Sequence, residues 1–318
     1  MPSRPTCCSS RQSRHQKEIC KVNNERSCLY ENGPGSSRDA LLEKLPLRTI
    51  EGEWQRSLDM IELSQRRLAH LIQDKQTPVS DQLEACLRDM QAASSRLDRT
   101  LNNTTALLRC IQGGEQPQWE TLDLCAFVRV LCSVSQSLKE RMHIRLTLDC
   151  GSQSPLYIQA DRRFLSQICL HLLSNALRAC APEGGTVALV LHPDGHGGAT
   201  LTLTDTGCGL PDNNNYASMD ANRAHFLGGT RTGLLLCQEY CRLSGWQLEL
   251  SRRPKGRGTV ATLAMPRPAL DQVRPVLHSP SPEEDLYKAQ ALWLQLVVEL
   301  RNIPGLEDAP FAIPTKIP

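Results

Sequence analysis

An unbroken heptad stripe constrains this chain before any other feature does. Leu83, Leu87, Met90, Ser94, Leu97, Leu101, Thr104, Leu108 and Ile111 follow one another in alternating steps of four and three. That spacing returns to one face of a helix every two turns, and a stripe of this length has to be buried against other helices. Upstream, Leu58, Ile61, Leu68 and Ile72 recur at helical spacing over about 48–75, and Thr77, Pro78 and Ser80 separate the two runs. Pro78 disfavours helix before it, and Ser80 is the expected cap of the next one. Two helices and a short turn make a hairpin, which cannot cover its own seam. Pairing of two copies into a four-helix bundle would cover it, and so would packing on the C-terminal half of the same chain.

Gly113, Gly114 and Pro117 end the hairpin. A helix is expected over about 122–142, then strands over 144–149, 156–160, 186–192 and 199–205, with a helix over 161–180 between the second and third. Helix 233–244 and strands 246–251 and 258–264 follow. The fold class is α+β: a helical hairpin followed by an α/β sandwich, a mixed sheet with helices on one face. The expected domains are a disordered, cysteine-containing leader (1–45), the hairpin (46–114), a linker and first helix (115–142), the sandwich (143–266) and a proline-rich tail (267–318). Within the tail, Ser281, Pro282 and Glu284 open an amphipathic helix over 282–302. The stretch between 205 and 232 is rich in Gly, Asn and Asp and too long for an ordinary connection, which marks it as a functional loop.

Composition removes several functions. A formal charge of +2 gives no electrostatic case for nucleic acid or an anionic membrane, and 4% aromatics supply few stacking platforms. No run approaches the ~20 apolar residues that span a bilayer, and Cys7 and Cys8 are followed by polar residues where a signal peptide would be apolar. The expected location is cytoplasmic. Of the 14 cysteines, Cys86, Cys110, Cys125, Cys132, Cys169, Cys180, Cys237 and Cys241 fall in apolar periodic segments, where they act as small buried hydrophobes. Cys7, Cys8, Cys20 and Cys28, with His15, match no recognised zinc spacing.

Four constellations carry chemistry. Asp205-Thr206-Gly207-Cys208-Gly209 follows a strand: a carboxylate can accept from an amino group, while the glycines let backbone approach a flat ligand. Gly228-Gly229-Thr230-Arg231-Thr232-Gly233 precedes a helix, whose free amides and dipole suit phosphate. His171, Asn175 and Arg178 form a polar edge on an otherwise apolar helix. Gly256-Arg257-Gly258-Thr259 leads into the last strand. Taken singly, each is also the text of a hairpin turn, a flexible loop or a solvated helix edge.

Their order and spacing resemble the Bergerat-fold ATPases, and within that superfamily the histidine kinases. Leu172-Leu173-Ser174-Asn175-Ala176-Leu177-Arg178, then Pro182-Glu183-Gly184-Gly185, looks like the kinase asparagine box and its following turn. Leu107-Leu108-Arg109-Cys110-Ile111-Gln112-Gly113 resembles the end of the kinase dimerisation hairpin. The resemblance covers roughly 50–266 and implies ATP and Mg2+ as cofactors. It implies that Asp205 holds the adenine amino group, with Gly207, Gly209 and Thr259 in the same pocket. Asn175 would ligate magnesium, Arg178 would touch phosphate where the family has lysine, residues 210–228 would form a lid, and Gly229 and Gly233 would frame the phosphates. It implies a homodimer through the hairpin and a response regulator receiver domain as partner.

The chain departs from the family at three places. His171 stands where the first asparagine of the box acts as general base or orients magnesium. Arg231 replaces the central glycine of the motif that ends the lid. The His-Glu signature of the phosphoacceptor, with its proline a few residues on, is missing; His70 is the only histidine of the hairpin and so the available acceptor. The resemblance implies a sensor histidine kinase that autophosphorylates and relays phosphate. The departures leave open a regulatory module that binds nucleotide and acts through protein contacts, and, more remotely, a serine kinase or ATPase of the same fold.

Overall fold

The chain divides into Met1–Leu45 and Pro46–Pro318, and the second unit carries every element below. The computed structural model describes residues 47–73, 80–151, 155–181, 183–210, 232–268 and 282–303, with a few single positions beside them. The leader with its cysteines, the lid with Gly229 and Arg231, and Pro78 lie outside the described residues.

Helices α1 (Leu47–Gln73) and α2 (Ser80–Gln112) form the hairpin. The seam is not built from the heptad stripe read in the sequence. Ile50, Ser57 and Ser64 on α1, and Cys86, Ala93, Thr100, Asn103, Leu107 and Cys110 on α2, are the buried set. Both sets repeat every seven residues, and apart from Ile50 and Leu107 their members are small or polar. Thr100 Oγ1 and Thr104 Oγ1 donate back to the carbonyls of Arg96 and Thr100, which satisfies their hydroxyls within the helix. The heptad stripe is only partly covered: Leu83, Met90, Leu97 and Thr104 are half-buried, while Leu87 and Leu101 are 50% exposed and Leu108 42%, with Leu58 of α1 at 50%. Only Ile111, at the end of the stripe, is buried.

The sandwich follows the expected order closely. The helix expected over 122–142 is divided: Glu120–Asp123 is a strand, β1, followed by α3 (Leu124–Cys132) and α4 (Ser135–Met142). Asp123 caps α3 by accepting from the Cys125 amide, and also takes the Leu156 amide, which binds the cap to the chain entering β3. Strands β2 (Ile144–Asp149), β4 (Gly185–Pro193), β5 (Ala199–Asp205), β7 (Thr259–Met265) and β6 (Gln247–Arg252) form a sheet in that spatial order, parallel between β2 and β4 and antiparallel elsewhere. β3 (Tyr157–Ala160) pairs only with β1. Alternate residues Val187, Leu189, Leu191, Leu201, Leu203, Ala261 and Leu263 turn to the helices, and the threonines between them face away.

Helix α5 (Arg162–Cys180) lies on that apolar face, its entry held by Asp161, which accepts from the amides of Arg163 and Phe164. Helix α6 (Thr232–Ser244) lies beside α5 and also against α2, and Phe164 stacks on Tyr240 at 4.1 Å between ring centroids. Cys169, Cys180, Cys237 and Cys241 are buried free thiols of this layer, as their apolar settings required. The tail helix α7 (Pro282–Leu300) docks on α3 and α5 through Ala289, Leu292, Trp293, Leu296, Val297 and Leu300. Among the described residues no helix is long and apolar enough to cross a membrane.

The hairpin seam can be tested through its two orphan hydroxyls. Ser57 Oγ and Ser64 Oγ are buried and make no hydrogen bond. An unpaired buried hydroxyl costs roughly 1–3 kcal/mol, so Ser57→Ala and Ser64→Ala are each expected to raise the thermal midpoint. A fall in the midpoint for both would contradict the packing described.

Candidate functional site

Asp205 ends β5, the central strand of the sheet, and its side chain is buried. The Gly207 amide donates to its Oδ1 at 2.8 Å, and the Thr259 amide and hydroxyl also donate to the carboxylate. Burial raises its pKa, and these donors with the Arg253 charge offset only part of that rise. The turn after it is held by close backbone contacts. A Cβ on Gly207 would overlap the carbonyl of Ala179 on α5, and one on Gly258 would overlap the carbonyl of Asp205. Gly209, at φ +76°, turns the chain against Gly258. The Cys208 amide then donates to the Ala179 carbonyl at 3.1 Å. A carboxylate, three close backbones and Thr259 thus meet at the last turn of α5.

From there a line of residues runs back along one edge of α5. Ala179, Asn175 and His171 are four apart, so they stand one above another on the helix. Asn175 is exposed. His171 is buried and meets the start of α6, where a Cβ on Gly233 would lie 3.2 Å from its Nδ1. The edge therefore has the Asp205 turn at one end and the glycine-rich entry of α6 at the other, ~12 Å apart along the axis at 1.5 Å per residue. Of the expected site residues, Asp205, Gly207, Gly209, Thr259, Asn175 and Gly233 come together on this line. Gly229 lies outside the described residues. His70 belongs to α1, but its side chain is outside the described ones.

His171 and Arg178 depart from the single polar edge expected for them. Both are covered by the tail helix and the hairpin. Arg178 is 5% exposed; it donates from Nη2 to the Asn302 carbonyl at 2.9 Å and from Nε to Ser174 Oγ at 3.4 Å. Its guanidinium is thus engaged with the protein itself, where the sequence suggested phosphate. Burial, and then the Arg99 charge, push its pKa down to about 9. Neither ring nitrogen of His171 makes a hydrogen bond, and burial pushes the imidazole down to about 4, so it is neutral at pH 7. Glu299 Oε1 lies 3.9 Å from His171 Nδ1 and 2.8 Å from Arg99 Nη2.

Arg99, Glu299 and Asn302 were not singled out from the sequence. Helix 282–302 was legible as amphipathic, but nothing in its text tells where it docks. Among the described residues no group of three or more His, Cys, Asp and Glu side chains could hold a metal ion.

The comparisons with known proteins agree with this geometry. Residues 160–269 match the family described as Histidine kinase-, DNA gyrase B-, and HSP90-like ATPase. The chain is 30% identical over 172 residues to the sensor protein EvgS of Escherichia coli O157:H7, an alignment covering 51% of this chain and 14% of EvgS. It is 30% identical over 164 residues to the sensor histidine kinase Hik2 of Thermosynechococcus vestitus, covering 48% of this chain and 41% of Hik2. With the circadian input-output histidine kinase CikA of Synechococcus elongatus it shares 25% identity over 211 residues, 64% of this chain and 27% of CikA. The chain spans less than half the length of each of these relatives. The matched segment contains α5, Asp205, Gly233 and Thr259. Residues 160–269 thus match that ATPase family, and the chain is similar to histidine kinases over about half of its own length.

Proposed function

We propose that the chain binds ATP with magnesium along the α5 edge, phosphorylates a histidine of its own hairpin and passes that phosphate to a receiver domain. The observation that carries the reading is the line from Asp205 through Asn175 to Gly233: an acceptor for an amino group, an exposed amide and a glycine-rich helix entry, in the order of base, metal and phosphates. Asp205 accepts from the exocyclic amine of adenine, and the close backbone contacts of Gly207 and Gly209 fix the turn that holds the carboxylate. Magnesium, when bound with the nucleotide, neutralises phosphate oxygens, and the Asn175 amide oxygen is the protein ligand we assign to it. The start of α6 turns its free amides towards the phosphates, Gly233 among them.

The transfer is then a matter of positioning and charge. The bond between the γ-phosphorus and its bridging oxygen breaks, ADP leaves, and a bond forms from phosphorus to an imidazole nitrogen. We assign the acceptor to His70, the hairpin's only histidine. A second transfer would carry the phosphoryl group to an aspartate of a response regulator, the partner class that the resemblance to histidine kinases implies. The exposed leucines Leu87, Leu101 and Leu108 with Leu58 support pairing with a second copy, since a four-helix bundle would bury both apolar stripes. As domains, we read 46–114 as dimerisation and acceptor, 143–266 as ATP binding, and 267–318 as a tail that docks on the latter.

Two experiments test this reading. Incubation with γ-labelled ATP and magnesium is expected to put label on the protein that is acid-labile and alkali-stable, and lost in both His70→Ala and Asp205→Asn. Nucleotide uptake without label would contradict the kinase assignment, and label that survives acid would point to a hydroxyl acceptor. In sedimentation, the native chain is expected as a dimer and Leu101→Glu with Leu108→Glu as a monomer, because burying each leucine contributes about 2 kcal/mol per copy. A monomeric native chain, or a dimer that survives both charges, would contradict the pairing.

A further inference from the structure

Glu299, in the last turn of α7, is surrounded by cations from two other parts of the chain. Arg99 comes from the hairpin helix α2 and makes the 2.8 Å ion pair; both side chains are largely buried. Arg178 comes from α5, and Ser174, one turn before it, hydrogen bonds the Glu299 carboxylate. Burial pushes the Glu299 pKa up, but the Arg99 and Arg178 charges and the Ser174 hydrogen bond oppose it, and the carboxylate is held below its usual range. With His171 neutral, the cluster has two guanidinium groups and one carboxylate. It is left incompletely satisfied: Arg99 Nε and both His171 nitrogens are buried without a hydrogen bond.

The chain beyond α7 extends the cover. The Arg301, Asn302 and Ile303 amides donate back to Val297, Glu299 and Leu300, and Leu306 and Ala309 continue in tight turns. Ile303, Leu306 and Ala309 are buried. This short path brings the Asn302 carbonyl to Arg178. His171 and Arg178 flank Asn175 on α5, and His171 lies under the glycine-rich start of α6. The tail therefore brings an anionic carboxylate and a carbonyl oxygen to cations beside the proposed phosphate end of the edge. These are the two kinds of oxygen acceptor that phosphate itself would present to arginine.

We propose that Glu299 and the Asn302 carbonyl stand in for nucleotide phosphate at Arg99 and Arg178, making the end of the C-terminal helix an autoinhibitory plug that ATP must displace. The proposal rests on the nucleotide reading of the α5 edge given above. Two buried arginines require an anion, and a protein that supplies one from its own tail weakens its affinity for an external one. Displacement also frees Arg99, so the hairpin gains a cation facing the phosphates as the plug leaves. The device thereby links nucleotide occupancy to the contact between the hairpin and the ATPase domain. Among the described residues of the tail none hydrogen bonds Asp205, and Glu299 and Asn302 meet α5 at His171, Ser174 and Arg178 instead, so the tail competes with the phosphates and leaves the base unopposed.

The test compares ATP with adenosine, which keeps the base and loses the phosphates, on the full chain in magnesium by calorimetry. Glu299→Gln keeps the shape and removes the competing charge, and is expected to tighten ATP binding ~10-fold or more, a change of ~1.4 kcal/mol. Adenosine affinity is expected to change less than ~2-fold, since no phosphate competes. Equal tightening of both ligands, or of neither, overturns the plug while leaving the pocket standing. Failure of both proteins to bind either ligand overturns the nucleotide reading, and the plug with it. A measurement without a variant guards against misfolding: saturating ATP is expected to speed hydrogen exchange of the amides of 297–303, and adenosine is not. Unchanged protection of that segment with ATP bound overturns the proposal.

Discussion

Gly207 leaves no room for a side chain between the end of β5 and Ala179 of α5, and the rest of the site depends on that close approach. It brings the last turn of a helix against the end of the central strand, so that Asp205 is buried yet hydrogen bonded, with its orientation set by the Gly207 amide and by Thr259 of the neighbouring strand. The helix then supplies its own ruler. Every fourth residue returns to the same edge, and Ala179, Asn175 and His171 stand along ~12 Å of it, the length over which we propose that the nucleotide lies. At the far end, Gly233 lets the α6 backbone reach the His171 ring, and the Phe164–Tyr240 stack holds α6 beside α5. Small residues at both ends of one helix edge thus permit β5 and α6 to pack closely on α5.

The second determinant is electrostatic. Removing two arginines from water is costly unless an anion accompanies them. In this structure the anion is Glu299, and the Asn302 carbonyl adds an acceptor for Arg178. The hairpin, the asparagine-box helix and the tail helix are tied by that one cluster, although they are widely separated in sequence. A nucleotide has the charge to replace the carboxylate. The same physics that stabilises the tail on α5 therefore makes its attachment sensitive to phosphate.

The sandwich was legible because its signals are local. Alternation in 144–149, 186–192 and 199–205, and the helical period of 161–180, reflect burial on a single face, and the strands and helix formed within a residue or so of the expected bounds. The pocket glycines were legible as well, since Gly207 and Gly258 are demanded by backbone contact and carry their reason in their identity. The helix expected over 122–142 hid a four-residue strand, because Glu120–Asp123 gains its pairing from β3, more than thirty residues away. The heptad stripe of α2 was visible, but its direction was not. A seam of serine, alanine and threonine also repeats every seven residues, and only the approach of α1 decides which stripe turns inward. Arg178 and His171 looked like open site residues for a similar reason: their cover comes from Glu299 and Asn302, and no pattern within either segment announces a docking partner more than a hundred residues distant.

The central claim is that Asp205 grips the amino group of adenine. A calorimetric titration of the native chain with ADP and with inosine diphosphate, in magnesium, tests it most directly, because the two ligands differ only at the purine edge, where the amine gives way to a carbonyl and N1 gains a proton. The expected result is saturable 1:1 binding of ADP and an affinity for inosine diphosphate lower by ~100-fold or more, since the carboxylate would face an oxygen with no proton to share. Equal affinity for both, or no uptake of ADP, would contradict the account.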